Sequence, residues 1–262
     1  MKKILFFFVF VLVIYMWLSS CSPKESESDE DAPRANPVIS TFENEPENTE
    51  DAGEEYIDSF VFLGESTTYH LKSRGVLSGG TETTQVWAPK SGTLMLSPST
   101  SSCRIIYPET NEELDFSEAL ERKQPKRILL TFGLNGIISN MNRGKSYFQS
   151  CYQSLIDTIK EASPGTEIVI QSCFPVAENM DTASFGVNVK KLNSYIDTLN
   201  TWSEELSRKN SLVFINSNAF FKNSNGALKK EYQSGDGYHL NAQAYKDMLR
   251  YIRTHVPKES SR

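Results

Sequence analysis

Short apolar runs that resemble buried strands alternate along this chain with amphipathic helical patterns. The helical stretches place apolar side chains three and four positions apart, as one buried helix face requires. Such alternation is typical of a parallel sheet with helices on both faces. The sequence therefore predicts a three-layer α/β/α domain with a central parallel sheet. Its strands are predicted at residues 59–63, 84–88, 127–132, 167–171 and 212–216.

Three polar segments occur where predicted strands end or where the last helix begins. Gly64-Glu65-Ser66 follows the first strand, and Gly133-Leu134-Asn135 follows the third. Asp236-Gly237-Tyr238-His239 precedes a predicted terminal helix at residues 242–255. Ligands of open parallel sheets bind beyond the carboxyl ends of the strands. We therefore expect the three segments to meet at one edge of the sheet.

These segments contain the groups that acyl transfer needs. A serine hydroxyl such as that of Ser66 becomes a good nucleophile when a base takes its proton, and a carboxylate must orient that base. His239 and Asp236 are candidates for the base and the carboxylate. The resulting oxyanion needs fixed donors, and the Ser66 N–H and the Asn135 side chain are candidates.

In this order, the segments resemble the blocks of the SGNH (GDSL-like) hydrolase family. The resemblance covers roughly residues 57–255 and implies a flavodoxin-like fold, a Ser-His-Asp triad and no cofactor. It also implies a glycine as a further oxyanion donor, for which we prefer Gly92 to Gly79 or Gly80. The chain departs from the family pattern at Glu65 and Gly136, where the family usually has Asp.

Each candidate also has a simpler interpretation. Ser66 is at a position where serine commonly caps a helix, and Asn135 and Asp236 have sequence neighbours typical of turns. His70 competes for the role of base because it follows Ser66 by four residues, one helical turn. The sequence favours His239 because Asp236 lies beside it, whereas His70 has no carboxylate close by.

The N-terminal residues have the pattern of a bacterial lipoprotein signal. Two lysines precede a short apolar run that is too short to span a membrane and that ends in Leu18-Ser19-Ser20-Cys21. We predict a signal peptide at residues 1–20, with cleavage before Cys21, diacylglycerol on the Cys21 thiol and palmitate among the attached lipids. The protein would then be secreted and anchored outside the cytoplasm to the bacterial cell membrane.

An acidic segment separates this signal from the domain. Between Ser22 and Glu55, twelve acidic residues occur against two basic ones, with four prolines and few large apolar residues. This composition predicts a disordered tether over residues 21–55 and a hydrolase-like domain over residues 56–262. The tether accounts for the net charge of −6, so nothing indicates a nucleic-acid partner.

Cysteine and histidine usage gives no pattern of a metal site. The chain has three scattered histidines and no Cys-x-x-Cys pair. Apart from Cys21, three cysteines remain, so a monomer can form at most one disulfide and at least one free buried thiol is expected. These are Cys103, Cys151 and Cys173. We expect no metal, no cofactor and a monomeric protein.

The sequence thus predicts a lipid-anchored serine esterase whose expected substrate is a polysaccharide that carries acetyl or short acyl esters. Two alternatives stay open. An O-acyltransferase would use the same site with a sugar hydroxyl in place of water. A non-catalytic lipoprotein would keep the fold and bind a glycan or another solute.

Overall fold

The structure is a computed structural model that describes residues 45–257, so Cys21 and the predicted signal peptide lie outside the described residues. Its strands are β1 (Phe60–Gly64), β2 (Val86–Trp87), β3 (Arg104–Tyr107), β4 (Glu112–Asp115), β5 (Arg127–Thr131), β6 (Glu167–Gln171) and β7 (Val213–Ile215). Its α-helices are α1 (Glu54–Asp58), α2 (Ser66–Ser73), α3 (Phe116–Lys123), α4 (Ile137–Arg143), α5 (Lys145–Ala162), α6 (Val189–Lys209), α7 (Ser217–Phe221) and α8 (Ala242–Arg253).

Within residues 45–257, five strands form a parallel sheet in the order β2-β1-β5-β6-β7. This confirms the predicted central parallel sheet of flavodoxin-like order, and each strand overlaps its predicted segment. The chain first adds β2 on one side of β1 and later adds β5 on the other side. This reversal creates a crevice between β1 and β5 at the carboxyl ends of the strands.

Side chains of the strands alternate between two hydrophobic cores, one on each face of the sheet. On β1, Val61 and Leu63 belong to one core, whereas Phe60 and Phe62 belong to the other. The first core is completed by α3, α5 and α6, and the second by α1, α2, α7 and α8. Because both faces are buried, β1 and β5 read as continuous apolar runs.

The sequence did not predict the hairpin of β3 and β4, which is antiparallel and separate from the main sheet. Its strands are short, and β4 is mostly exposed and acidic, so it lacks the apolar run that marks the other strands. The turn between them includes Asn111 at φ 59°, a left-handed conformation that Asn tolerates. An isolated bridge from Ala88 to Ile106 connects the hairpin to the residue after β2.

Residues before 56, in the segment predicted as a tether, contact the end of α8. The Thr49 N–H donates to the Thr254 carbonyl, and the Ala52 N–H donates to the Arg253 carbonyl. Arg253 also pairs with Asp51. At least residues 49–55 are therefore bound to the end of α8, and their acidic side chains have a basic partner there.

Three thiols lie within the described residues, and none forms a disulfide. Cys151 and Cys173 are buried, and Cys103 is half-buried. Burial raises the pKa of all three thiols above the ordinary value. Among residues 45–257, no helix is long and apolar enough to cross a membrane.

Candidate functional site

The first candidate residue, Ser66, stands at the sharp turn from β1 into α2. The turn depends on Gly64, because a Cβ at this position would lie 2.4 Å from both the Thr131 carbonyl oxygen and the Thr68 Oγ1. Without that Cβ, the end of β1 packs closely against the end of β5. Ser66 is thereby held at the first position of α2, where its N–H points out of the helix and has no acceptor among the described residues.

A continuous chain of hydrogen bonds joins the three predicted triad residues. Ser66 Oγ lies 2.9 Å from His239 Nε2, and His239 Nδ1 lies 2.6 Å from Asp236 Oδ2. The other oxygen of Asp236 accepts the N–H groups of Tyr238 and His239 at 3.1 and 2.9 Å. The carboxylate is thus fixed by its own loop, and the imidazole is oriented with Nε2 towards the hydroxyl.

The environment of Asp236 favours its charged form. Partial burial acts to raise the pKa of the carboxyl, but the bonds from the His239 N–H, the His239 ring and the Tyr238 N–H outweigh it. The pKa of Asp236 therefore lies below its ordinary value. A carboxylate that stays ionised can hold the His239 tautomer and stabilise the imidazolium that forms when Nε2 accepts a proton.

His70, the competing base, is close to the triad but lacks the contacts of a base. Its ring lies 4.3 Å from the His239 ring, centroid to centroid, and its Nδ1 is buried without a partner among residues 45–257. Burial, His239 and Arg74 together lower the pKa of His70 to about 4. His70 therefore stays neutral near pH 7, and its described contacts include no carboxylate bond that could orient it.

The Glu65 carboxylate connects the serine turn to the turn that carries Asn135. Its Oε1 accepts the N–H groups of Gly133 and Asn135 at 2.8 and 3.0 Å, and its Oε2 accepts the Leu134 N–H at 3.2 Å. Glu65 is only 3% exposed. The residue that departs from the family pattern thus fixes the backbone of the second candidate segment, a contact that its position in the sequence did not predict.

The Asn135 side chain faces the turn after β2. Its Nδ2 donates to Thr93 Oγ1 at 2.9 Å and to the Leu94 carbonyl at 3.0 Å. The Gly92 N–H donates at 2.8 Å to the Pro89 carbonyl within its own turn. The predicted oxyanion donor Gly92 therefore already has an acceptor, whereas Thr93, which the sequence analysis missed, contacts Asn135 directly.

The sequence gives no local signal for the contact of Thr93 with Asn135, which joins residues 42 positions apart. The sequence does not reveal which loop lies opposite, because that depends on β2 and β5 flanking β1. Among residues 45–257, no group of three His, Cys, Asp or Glu side chains could hold a metal ion.

Burial makes Glu65 a pH-dependent element of the site. It raises the pKa of Glu65 from 4.5 to about 7, although the three N–H donors act to lower it. A carboxyl whose pKa is higher in the folded state binds its proton more tightly there. Its contribution to the free energy of unfolding is therefore fully present below about pH 4.5 and is lost as the pH rises through about 7.

We predict that Glu65→Gln reduces the fall in melting temperature that the wild type shows between about pH 5 and pH 8. The expected difference in the free energy of unfolding is on the order of 2 to 3 kcal/mol. Thermal unfolding at a series of pH values measures this effect. The control Glu121→Gln changes an exposed residue of α3 and should keep the wild-type slope. An unchanged slope in Glu65→Gln would show that this carboxyl does not titrate in that range.

Comparison with known proteins agrees with the resemblance seen in the sequence. Residues 62–246 match the model of the GDSL-like lipase/acylhydrolase family. A comparison with curated protein sequences finds no significant match.

Several solved structures are similar to this chain at low sequence identity. A GDSL-like lipase from Bacteroides thetaiotaomicron is 16% identical with a TM-score of 0.46, over 74% of this chain and 84% of that chain. The periplasmic domain of a lipopolysaccharide acetyltransferase from Salmonella ser. Paratyphi A is 16% identical with a TM-score of 0.48, over 74% and 82%. An aryl esterase from M. smegmatis is 14% identical with a TM-score of 0.46, over 75% and 99%. Because the family model spans most of the chain, this protein belongs to the GDSL-like lipase/acylhydrolase family, which the sequence motifs indicated.

Proposed function

We propose that this protein is a serine esterase that cleaves a carboxylic ester through Ser66, His239 and Asp236. The observation that carries the proposal is the unbroken chain of hydrogen bonds from the Ser66 hydroxyl through the imidazole to the Asp236 carboxylate. A purely structural serine at a helix start would have no need of a histidine that is itself held by a carboxylate. Family membership supports the same reaction class.

In the proposed reaction, Ser66 Oγ forms a bond to the ester carbonyl carbon while His239 Nε2 takes the hydroxyl proton. The carbonyl becomes a tetrahedral oxyanion. When this intermediate collapses, the bond to the alcohol oxygen breaks and His239 returns its proton to that oxygen. A water molecule then repeats the two steps on the acyl-Ser66 ester, which releases the acid and restores the serine.

The oxyanion would be stabilised by the Ser66 N–H at the start of α2 and by the Asn135 amide. The Ser66 N–H has no other acceptor among the described residues. Thr93 Oγ1 holds the Asn135 amide in one orientation before substrate arrives. The Asn135 amide hydrogen that bonds the neutral Thr93 hydroxyl can instead be donated to the charged oxyanion, which is the stronger acceptor. Gly92 is a weaker candidate because its N–H is bonded within its turn.

For the substrate, we propose acetyl or short acyl esters on a glycan. The signal-like N-terminus supports a location outside the cytoplasm, where such polymers occur. An O-acyltransferase reaction would need the same residues and a sugar hydroxyl in place of water, so product analysis with added glycan acceptor distinguishes the two. The Ser66–His239 contact argues against a binding protein without catalytic activity.

We also propose that the protein is a monomer anchored to the cell membrane through lipid on Cys21. The support is the sequence pattern Leu18-Ser19-Ser20-Cys21 after a short apolar run. The site itself would then act outside the cell membrane.

The loss of activity on substituting His239 or His70 distinguishes the two candidate bases. His239→Ala should lower kcat for a short-chain nitrophenyl ester by about four orders of magnitude, because the base is lost. His70→Ala should lower kcat by less than about tenfold, because Ser66 Oγ bonds to His239. Kinetics on both purified variants, with melting temperatures as the folding control, measure the effects. If His70→Ala lost more activity than His239→Ala, the base would be His70 on α2, and Asp236 would have no role in orienting it.

Another prediction concerns the proposed oxyanion donor. Asn135→Ala should lower kcat by about two to three orders of magnitude with little change in KM, because the donor acts mainly in the transition state. Thr93→Val keeps the side-chain shape but removes one of the two acceptors of the Asn135 amide, so kcat should fall by about tenfold.

Thr93→Ser is the matched control, because it keeps the hydroxyl and should retain most of the activity. Near-wild-type kcat in Asn135→Ala would leave the oxyanion to backbone donors. If Asn135→Ala is impaired and Thr93→Val is not, Thr93 has no part in positioning the amide.

A separate prediction tests the anchor. When the full chain is expressed in a bacterium, Cys21 should carry lipid, and Cys21→Ala should release the protein or leave an unprocessed precursor. Mass spectrometry of the N-terminal peptide and membrane fractionation measure the two effects. Wild-type protein with an intact Met1 and no lipid would disprove the anchor.

A further inference from the structure

A cleft of about 310 Å³ lies beside the loop that carries Asp236 and His239. Asp236 and Tyr238 line it from this loop, and Met180 and Phe185 line it from the segment between β6 and α6. The two segments are packed together at Gly237, whose carbonyl accepts the Ala177 N–H at 2.7 Å. A Cβ on Gly237 would lie 2.7 Å from Met180 Cα, so this close approach requires glycine.

The position of the cleft indicates which half of an ester it receives. His239 must deliver its proton to the leaving alcohol oxygen, so the alcohol lies on the His239 side of Ser66. The Tyr238 ring contacts the His239 ring, with 3.8 Å between centroids, and it also lines the cleft. The cleft therefore lies beside the loop that carries His239, on the side where the leaving alcohol departs. The cleft volume is near the lower end of the range for small-molecule sites, so the cleft fits a compact alcohol group.

The charged groups of the cleft are all of one sign. Asp181 and Asp236 line it, and no Lys or Arg occurs among the described residues that do so. Both oxygens of Asp236 are engaged by the His239 ring and two N–H groups. Asp181 uses Oδ1 to accept the Ala183 N–H, and its Oδ2 has no partner among the described residues. Asp181 thus keeps an oxygen free to contact a ligand.

The aromatic rings of the cleft also favour a positively charged ligand. The faces of Phe185 and Tyr238 attract a cation that lies over them, and they also pack against apolar carbon. An anionic alcohol would meet two carboxylates without a basic partner. A cationic alcohol would meet one available carboxylate and two aromatic rings.

We propose that this cleft binds the alcohol part of the ester and that Asp181 makes it select alcohols with a positive charge over anionic ones. An amine-bearing sugar or a quaternary amino alcohol has the required chemistry. The inference rests on the proposed esterase function and deepens it by assigning a substrate class.

The test uses three thioesters with the same acetyl group. Acetylthiocholine carries a cationic thiol in place of the alcohol, 3,3-dimethylbutyl thioacetate is its neutral counterpart of the same shape, and S-acetyl-3-mercaptopropionate is anionic. For the wild type, kcat/KM should be about three- to tenfold higher for the cationic than for the neutral ester, and lowest for the anionic one. Asp181→Asn should reduce the cationic preference to about twofold or less. Asp181→Lys should make the anionic ester better than the cationic one.

Asp58→Asn is the matched control, because Asp58 is exposed on α1 and does not line the cleft. It should keep the wild-type ratios. Hydrolysis of nitrophenyl acetate is measured in parallel for every variant. If the wild type cleaves that ester but shows no charge preference, or if Asp181→Asn leaves the preference unchanged, the inference is overturned and the esterase function stands. If the folded wild type cleaves none of the esters, the esterase function fails and the inference fails with it.

Discussion

The Glu65 carboxylate is the contact on which the geometry of the site depends. It lies at the crevice between β1 and β5 and accepts three consecutive backbone N–H groups from the segment Gly133–Asn135. Because Glu65 precedes Ser66 directly, the same side chain fixes the nucleophile turn relative to the turn that carries Asn135. The family usually has the shorter Asp here, and in this chain the longer Glu side chain supplies all three bonds. Gly136 stands where the family usually has a second carboxylate.

Much of this arrangement could be predicted from the sequence because it is local. The apolar runs of β1, β5 and β6 mark strands that are buried on both faces, and the segments after them follow from parallel topology. The pairing of Asp236 with His239 lies within four residues, so spacing alone suggested it. Family membership is shown by the match over residues 62–246, a range that includes all three segments.

The remaining contacts depend on residues far apart in the chain. The Gly92 N–H is not free, because it closes a turn with the Pro89 carbonyl. The partner of Asn135 depends on the sheet order, because the loop after β2 meets the loop after β5 across the end of β1. The acidic residues at 49–55 resemble a tether by composition, yet Arg253 near the end of α8 pairs with them. Composition does not show such a partner about 200 residues away.

The folded domain keeps its three described cysteines as thiols, so its stability does not depend on a disulfide. No disulfide contributes to the described fold, so a reductant has no bond to break there. A thiol attacks a disulfide as its thiolate, and the raised pKa values keep these groups protonated near neutral pH. Once folded, the domain therefore has no described bond that a reductant would break, and its buried thiols react slowly with other disulfides.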